Sequence, residues 1–147
     1  MEKSSIPTSS PQQVLLKVTS DPANLAHVRK AIERFATGHG FDERSVAEIG
    51  LCVNEAMANI IRHAYRGRYD RPIHVATAMN EHGRTLIITL RDWGSGIDPG
   101  GLPCCERDPL QPGGVGLICL RQWMDEITYA PQADGGVLTT MKRRRKG

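Results

Sequence analysis

From Asp92 to Gly114 the chain runs for more than twenty residues with no strand or helix period, through repeated glycine and proline. Compact domains rarely carry a loop of this length unless it serves a site. With 147 residues there is room for one compact domain and little more. The segments on either side of the loop therefore have to build the core, and the loop has to be organised around it.

Those segments are periodic. Val14 to Thr19 alternates Val14, Leu16 and Val18 against Leu15 and Lys17, which predicts a strand with one face covered. Asp21-Pro22 offers a helix start, Leu25, Val28, Ile32 and Phe35 recur at helical spacing, and Gly38 and Gly40 end the run. Asp42 is the next cap, for a long helix expected from about Glu43 to Arg66. Ile73 to Met79 and Thr85 to Leu90 read as strands joined by the turn Asn80-Glu81-His82-Gly83. Beyond the loop, Val115 to Met124 reads as a short helix, followed by strands near Glu126–Ala130 and Val137–Arg143. The order β-α-α-β-β-loop-α-β-β predicts an α+β, two-layer sandwich: a mixed, mostly antiparallel sheet with helices on one face. Residues 1–13 are expected as a flexible tail, 14–143 as the domain and 144–147 as a basic tail.

Composition closes off several classes. No apolar run approaches the ~18 residues of a membrane span, and the first residues lack a secretory signal's apolar stretch, so a cytoplasmic protein is expected. Cys52, Cys104, Cys105 and Cys119 show no CxxC spacing, which points to reduced thiols rather than a zinc site. The net charge is +3, and five basic residues stand at 142–146, so the rest of the chain is mildly acidic. That run reads either as a solvated terminus or as a contact for nucleic acid or an acidic partner. Seven aromatic residues are too few for base-stacking platforms, so no direct nucleic-acid contact is expected.

Three motifs carry chemistry. Glu55, Asn59 and His63 stand at i, i+4 and i+8 and form one ridge beside the apolar arc of Val46, Val53, Ile60 and Ala64. Such a ridge faces either solvent or a cleft. Asp92 ends a strand and opens Asp92-Trp93-Gly94-Ser95-Gly96-Ile97; its carboxylate suits the exocyclic amine of a base, and Gly94 and Gly96 allow close backbone approach. Taken alone, this DxGxG also fits a simple turn. Gly113-Gly114-Val115-Gly116-Leu117 runs straight into a helix, where free amides and the helix dipole favour a triphosphate. Neither a Walker loop nor a strand-GxGxxG-helix pattern is present.

In this order and spacing, Val53 to Tyr65, Asp92 to Ile97 and Gly114 to Ile118 resemble the nucleotide-binding site of the GHKL superfamily. Within it, the chain is most similar to the small bacterial anti-sigma-factor serine kinases, and Trp123 to Ile127 matches the segment closing that family's short helix. The resemblance covers about residues 14 to 143 and implies the Bergerat-type ATP-binding fold. It further implies that Asn59 holds Mg2+, that Asp92 recognises adenine beside Gly94 and Gly96, and that Glu55 is the general base. Gly114, Val115, Gly116 and Leu117 would receive the phosphates of ATP and anchor a lid at about 98–113.

The function implied is an anti-sigma factor with ATP-dependent serine-protein kinase activity, which binds a sigma factor, phosphorylates a STAS-type anti-anti-sigma protein and pairs as a homodimer. Two departures stand against it. Relatives place an arginine at the second glycine box where this chain has Pro112, Gly113 and Val115, with Arg107 farther back. Many also place threonine directly after the glycine that here is Gly136, whereas Thr139 comes later. These departures keep open a non-catalytic module of the same fold that switches partners with ATP or ADP.

Overall fold

The computed structural model describes residues 12–94 and 120–146. Gly96, Gly114, Val115, Gly116, Leu117, the 98–113 lid and Cys104, Cys105 and Cys119 lie outside the described residues.

Five strands form one sheet: β1 (Gln13–Thr19), β2 (Pro72–Met79), β3 (Thr85–Arg91), β4 (Glu126–Pro131) and β5 (Val137–Arg144). Their spatial order is β1-β2-β3-β5-β4. Every neighbouring pair is antiparallel, so the sheet is not mixed among the described residues. The physical reason is local: β2–β3 and β4–β5 are hairpins, and the helix pair between β1 and β2 reverses the chain. Gln13 already pairs with Ala78, so the first strand begins one residue inside the expected tail.

Helices α1 (Asn24–Gly38) and α2 (Glu43–Asn59) cover one face of the sheet. The period-2 pattern sets that face: Ile73, Val75 and Thr77 of β2, Leu86, Ile88 and Leu90 of β3, and Val137, Thr139 and Met141 of β5 are buried. They meet Val28, Ile32 and Phe35 of α1 and Ile49, Val53 and Met57 of α2. Asp42 caps α2, its Oδ1 accepting the Ser45 amide at 2.8 Å. Asp21 does not cap α1 in the same way. Its Oδ1 accepts from the Ala23 amide, and the helix begins only at Asn24, because Pro22 and Ala23 form a preceding turn.

The long helix stops earlier than its pattern suggests. After Asn59 the backbone widens into a π-helical turn, Ile60–Ala64, in which the Tyr65 amide donates to the Ile60 carbonyl at 2.9 Å. The extra residue ends the 100° count, so His63 leaves the ridge for an exposed position while Ala64 and Tyr65 turn inward.

The basic run at 142–146 is not a solvated tail. Arg143 lies on the core face of β5, 6% exposed, and donates to Glu48 Oε1 at 2.7 Å, Ser45 Oγ at 3.1 Å and the Trp123 carbonyl at 2.7 Å. Arg145 donates to the carbonyls of His39 and Gly83, and Arg144 belongs to β5 itself. Strand alternation carries the side chains of Lys142, Arg143 and Arg144 alternately outward and inward to the end of β5. No helix among the described residues is long and apolar enough to cross a membrane.

Candidate nucleotide site

Asp92 follows β3 directly and is fully buried. Its amide donates to the Val137 carbonyl at 3.1 Å, and its Oδ1 accepts the Gly94 amide at 3.0 Å. Its Oδ2 is buried with no hydrogen-bond partner among the described residues. Burial pushes the Asp92 carboxyl above the ordinary aspartate range, and the Gly94 and Val137 backbone contacts, then the Arg91 charge, offset this only in part. Native proteins pair nearly all buried polar atoms, so an unpaired carboxylate oxygen marks a place for an incoming donor.

Two glycines let the backbone reach this position. Gly136 has φ +77°, and a Cβ there would stand 2.0 Å from the Asp92 carbonyl oxygen. A Cβ on Gly94 would stand 2.3 Å from the Ala64 carbonyl oxygen. Gly94 thus lets the chain after Asp92 lie against the π-helical turn, a packing role the DxGxG motif alone does not reveal.

The neighbour of Asp92 is fixed as firmly. The Trp93 amide donates to the Tyr65 hydroxyl at 2.8 Å, and that hydroxyl donates to the Pro72 carbonyl at 2.5 Å. Burial pushes the Tyr65 phenol up, which keeps the proton it donates. The Arg91 guanidinium stands 4.4 Å from the Trp93 ring centroid, and His74 meets the same ring edge-on at 4.7 Å. Arg91 also donates to the Asp92 carbonyl, to the Gly135 carbonyl at 2.8 Å and to Asp134 Oδ1 at 2.6 Å. The β4–β5 turn is therefore tied to the Asp92 segment.

The other half of the site stands on α2. Asn59, its last residue, is 4% exposed; Glu55, one turn earlier, keeps 14% of its side chain exposed. Asn59 lines a narrow cleft with Ala56, Ile60, Leu120, Tyr129, Thr139 and Met141. Thr139 is two residues along β5 from Val137, which bonds Asp92, so the two halves flank the same end of β5 about 7 Å apart along the strand. The structure thus joins Glu55 and Asn59 through Arg62, and Asp92 with Gly94 through a hydrogen bond, and it leaves His63 exposed and off the ridge. It also adds Thr139, Gly136, Tyr65 and Arg62. Of these, only Gly136 and the unusual place of Thr139 were marked in the sequence.

Arg62 reaches back from the π-helical turn. Its Nη2 lies 2.9 Å from Glu55 Oε2 and 2.9 Å from Asn59 Oδ1. Two oxygen donors, one an amide and one a carboxylate, already face a positive group here, which is the donor chemistry a hard divalent cation requires. The unpartnered Asp92 Oδ2 likewise fits the amino group of adenine.

Comparison with known proteins identifies the family of the chain. The family model described as "Histidine kinase-like ATPase domain" matches residues 18–143. The serine-protein kinase RsbW of Bacillus pumilus is 26% identical over 136 residues, covering 87% of this chain and 83% of that protein. The anti-sigma F factor of Heyndrickxia coagulans is 30% identical over 95 residues, covering 62% of this chain and 64% of that protein. Among solved structures, the RsbU and RsbW domains of Rv1364c from Mycobacterium tuberculosis superpose with a TM-score of 0.66 at 18% identity. That likeness covers 92% of this chain and 33% of the other, and shows a shared fold.

Proposed function

The chain belongs to the histidine kinase-like ATPase domain family, and from that premise we propose that it is an ATP-dependent serine-protein kinase and anti-sigma factor. In this reading it binds a sigma factor in the cytoplasm and transfers phosphate from ATP to a serine of a STAS-type antagonist. The names of its relatives, serine-protein kinase RsbW and anti-sigma F factor, support the reading. The observation that carries it is the buried Oδ2 of Asp92, without a hydrogen-bond partner among the described residues, on a backbone against which Gly136 is pressed.

Asp92 accepts the adenine amino group, with Thr139 and Asn59 on the cleft beside it. Gly94 lays its segment against Ala64, and Gly96, Gly114, Val115, Gly116 and Leu117 are assigned to the walls and phosphate cradle from sequence. Asn59 Oδ1 is the protein oxygen offered to Mg2+, which when bound neutralises phosphate charge. Glu55 takes the proton of the attacking serine hydroxyl as the oxygen bonds to the γ-phosphorus and ADP leaves. Most of the acceleration in such a site comes from position and charge, so one carboxylate is enough base.

With Mg·ATP and its STAS-type antagonist, the wild type should form phosphoserine. Glu55→Ala should form none while keeping its affinity for ATP at saturating magnesium; undiminished transfer would remove Glu55 from the base role. The absence of an arginine at Pro112, Gly113 and Val115 favours the second reading, a partner-switching module that binds ATP or ADP without transfer. Nucleotide binding with no phosphoserine in the wild type would select it. Two copies pairing through the sheet, where β1 is an edge and Leu15 is 67% exposed, belong to the same proposal, and light scattering tests it.

A further inference from the structure

Arg62 places one nitrogen, Nη2, at 2.9 Å from both Glu55 Oε2 and Asn59 Oδ1. These are the two oxygens that the proposed function assigns to the serine proton and to the metal, and the inference rests on that reading. Their burial differs from that of the group between them. Asn59 is 4% exposed and the Glu55 side chain 14%, whereas the Arg62 side chain is 41% exposed. The oxygens are therefore held by their surroundings, and the guanidinium is the part with room to leave.

We propose that Arg62 is an internal cation that latches the site, competing with the divalent metal for Asn59 Oδ1 and covering Glu55 until Mg·ATP displaces it. Two positive groups directed at one amide oxygen repel each other, so occupancy of Asn59 by metal and by guanidinium are alternatives. In the latched state Glu55 Oε2 points at Arg62 rather than at a substrate hydroxyl. Release of the guanidinium frees the metal oxygen and uncovers the base in one movement, which couples base exposure to nucleotide loading. A half-exposed ion pair is weak, which suits a contact that has to be displaced.

The test is calorimetric titration of the full chain with ATP over a series of magnesium concentrations. Arg62→Met removes the competing charge and every donor, and should lower the magnesium concentration for half-maximal ATP binding about 2- to 5-fold. Arg62→Lys, which keeps the charge, should fall between Arg62→Met and the wild type. Manganese, followed by its paramagnetic signal, should show the same order. Should Arg62→Met fail to fold, Glu55→Gln loosens the latch from its other anchor and should shift the magnesium requirement in the same direction. An unchanged magnesium requirement overturns the latch while leaving the nucleotide site standing. Weaker Mg·ATP binding in Arg62→Met also overturns it, by making Arg62 a nucleotide contact. Absence of ATP binding by the wild type at every magnesium concentration removes the ATP-site reading and the latch together.

Discussion

Replacing Asp92 with asparagine should move binding and stability in opposite directions. The carboxylate is fully buried, one oxygen is satisfied by Gly94 and the other by nothing among the described residues. An adenine amino group donating to Oδ2 makes a hydrogen bond to a charged acceptor, worth about 1.5–3 kcal/mol, so Asp92→Asn should weaken ATP binding about 10- to 150-fold. Asparagine keeps an acceptor for the Gly94 amide but removes a charge that burial opposes. Because burial raises the carboxyl's pKa in the folded chain, the protonated form is favoured by folding. That contribution is fully present below the unfolded value of about 3.9 and is lost as pH rises through the raised folded pKa. Above the raised pKa the wild type has lost it, so there the neutral variant should be at least as stable in urea unfolding. Its advantage should shrink as the pH is lowered through the raised pKa. ATP binding to the wild type should, conversely, strengthen over the same interval as Asp92 ionises. Calorimetry and urea unfolding at several pH values measure both arms. Unchanged ATP affinity in Asp92→Asn, or a loss of more than about 1 kcal/mol of stability above the raised pKa, would refute the reasoning.

Gly135 and Gly136 form a matched pair, with φ +100° and +77°, but only the second lies against Asp92. Gly135→Ala should cost about 1–2 kcal/mol from left-handed backbone alone. Gly136→Ala should cost more than that in urea unfolding and also weaken ATP binding, because the backbone of Asp92 has to move; equal effects of the two would refute the wedge. Arg143→Met should lose about 1–3 kcal/mol, because the part-buried Glu48 carboxylate keeps only the exposed Arg44 as an ion-pair partner. Adding Glu48→Gln should recover a large part of the loss in thermal unfolding, and failure to do so would place the cost in packing instead.

Much of the fold is legible from local pattern. Alternation in Val14 to Thr19, Ile73 to Met79 and Thr85 to Leu90 marks strands and their inner faces, because adjacent side chains on a strand point to opposite sides. The Asp42 cap likewise needs only Ser45, three residues on. Glu55, Asn59 and Asp92 are legible as motif residues, since each pairs an uncommon side chain with a fixed spacing. The π-helical turn is not, because its sequence, Ile60 to Ala64, continues a helical period without a break. Arg143 was hidden for a different reason: among five consecutive basic residues nothing local distinguishes the one that meets Glu48, ninety-five positions away.

The order of elements, the face each one buries and the motif residues proposed to bind a nucleotide were determined by the sequence, since each depends on neighbours within a turn or two. Which oxygen of Asp92 is left open, which glycine has backbone pressed against it, and which arginine covers Glu55 and Asn59 were decided only in the tertiary structure. Those outcomes depend on distances between groups far apart in the chain or on a local widening of the helix, and neither leaves a periodic trace for a sequence to show.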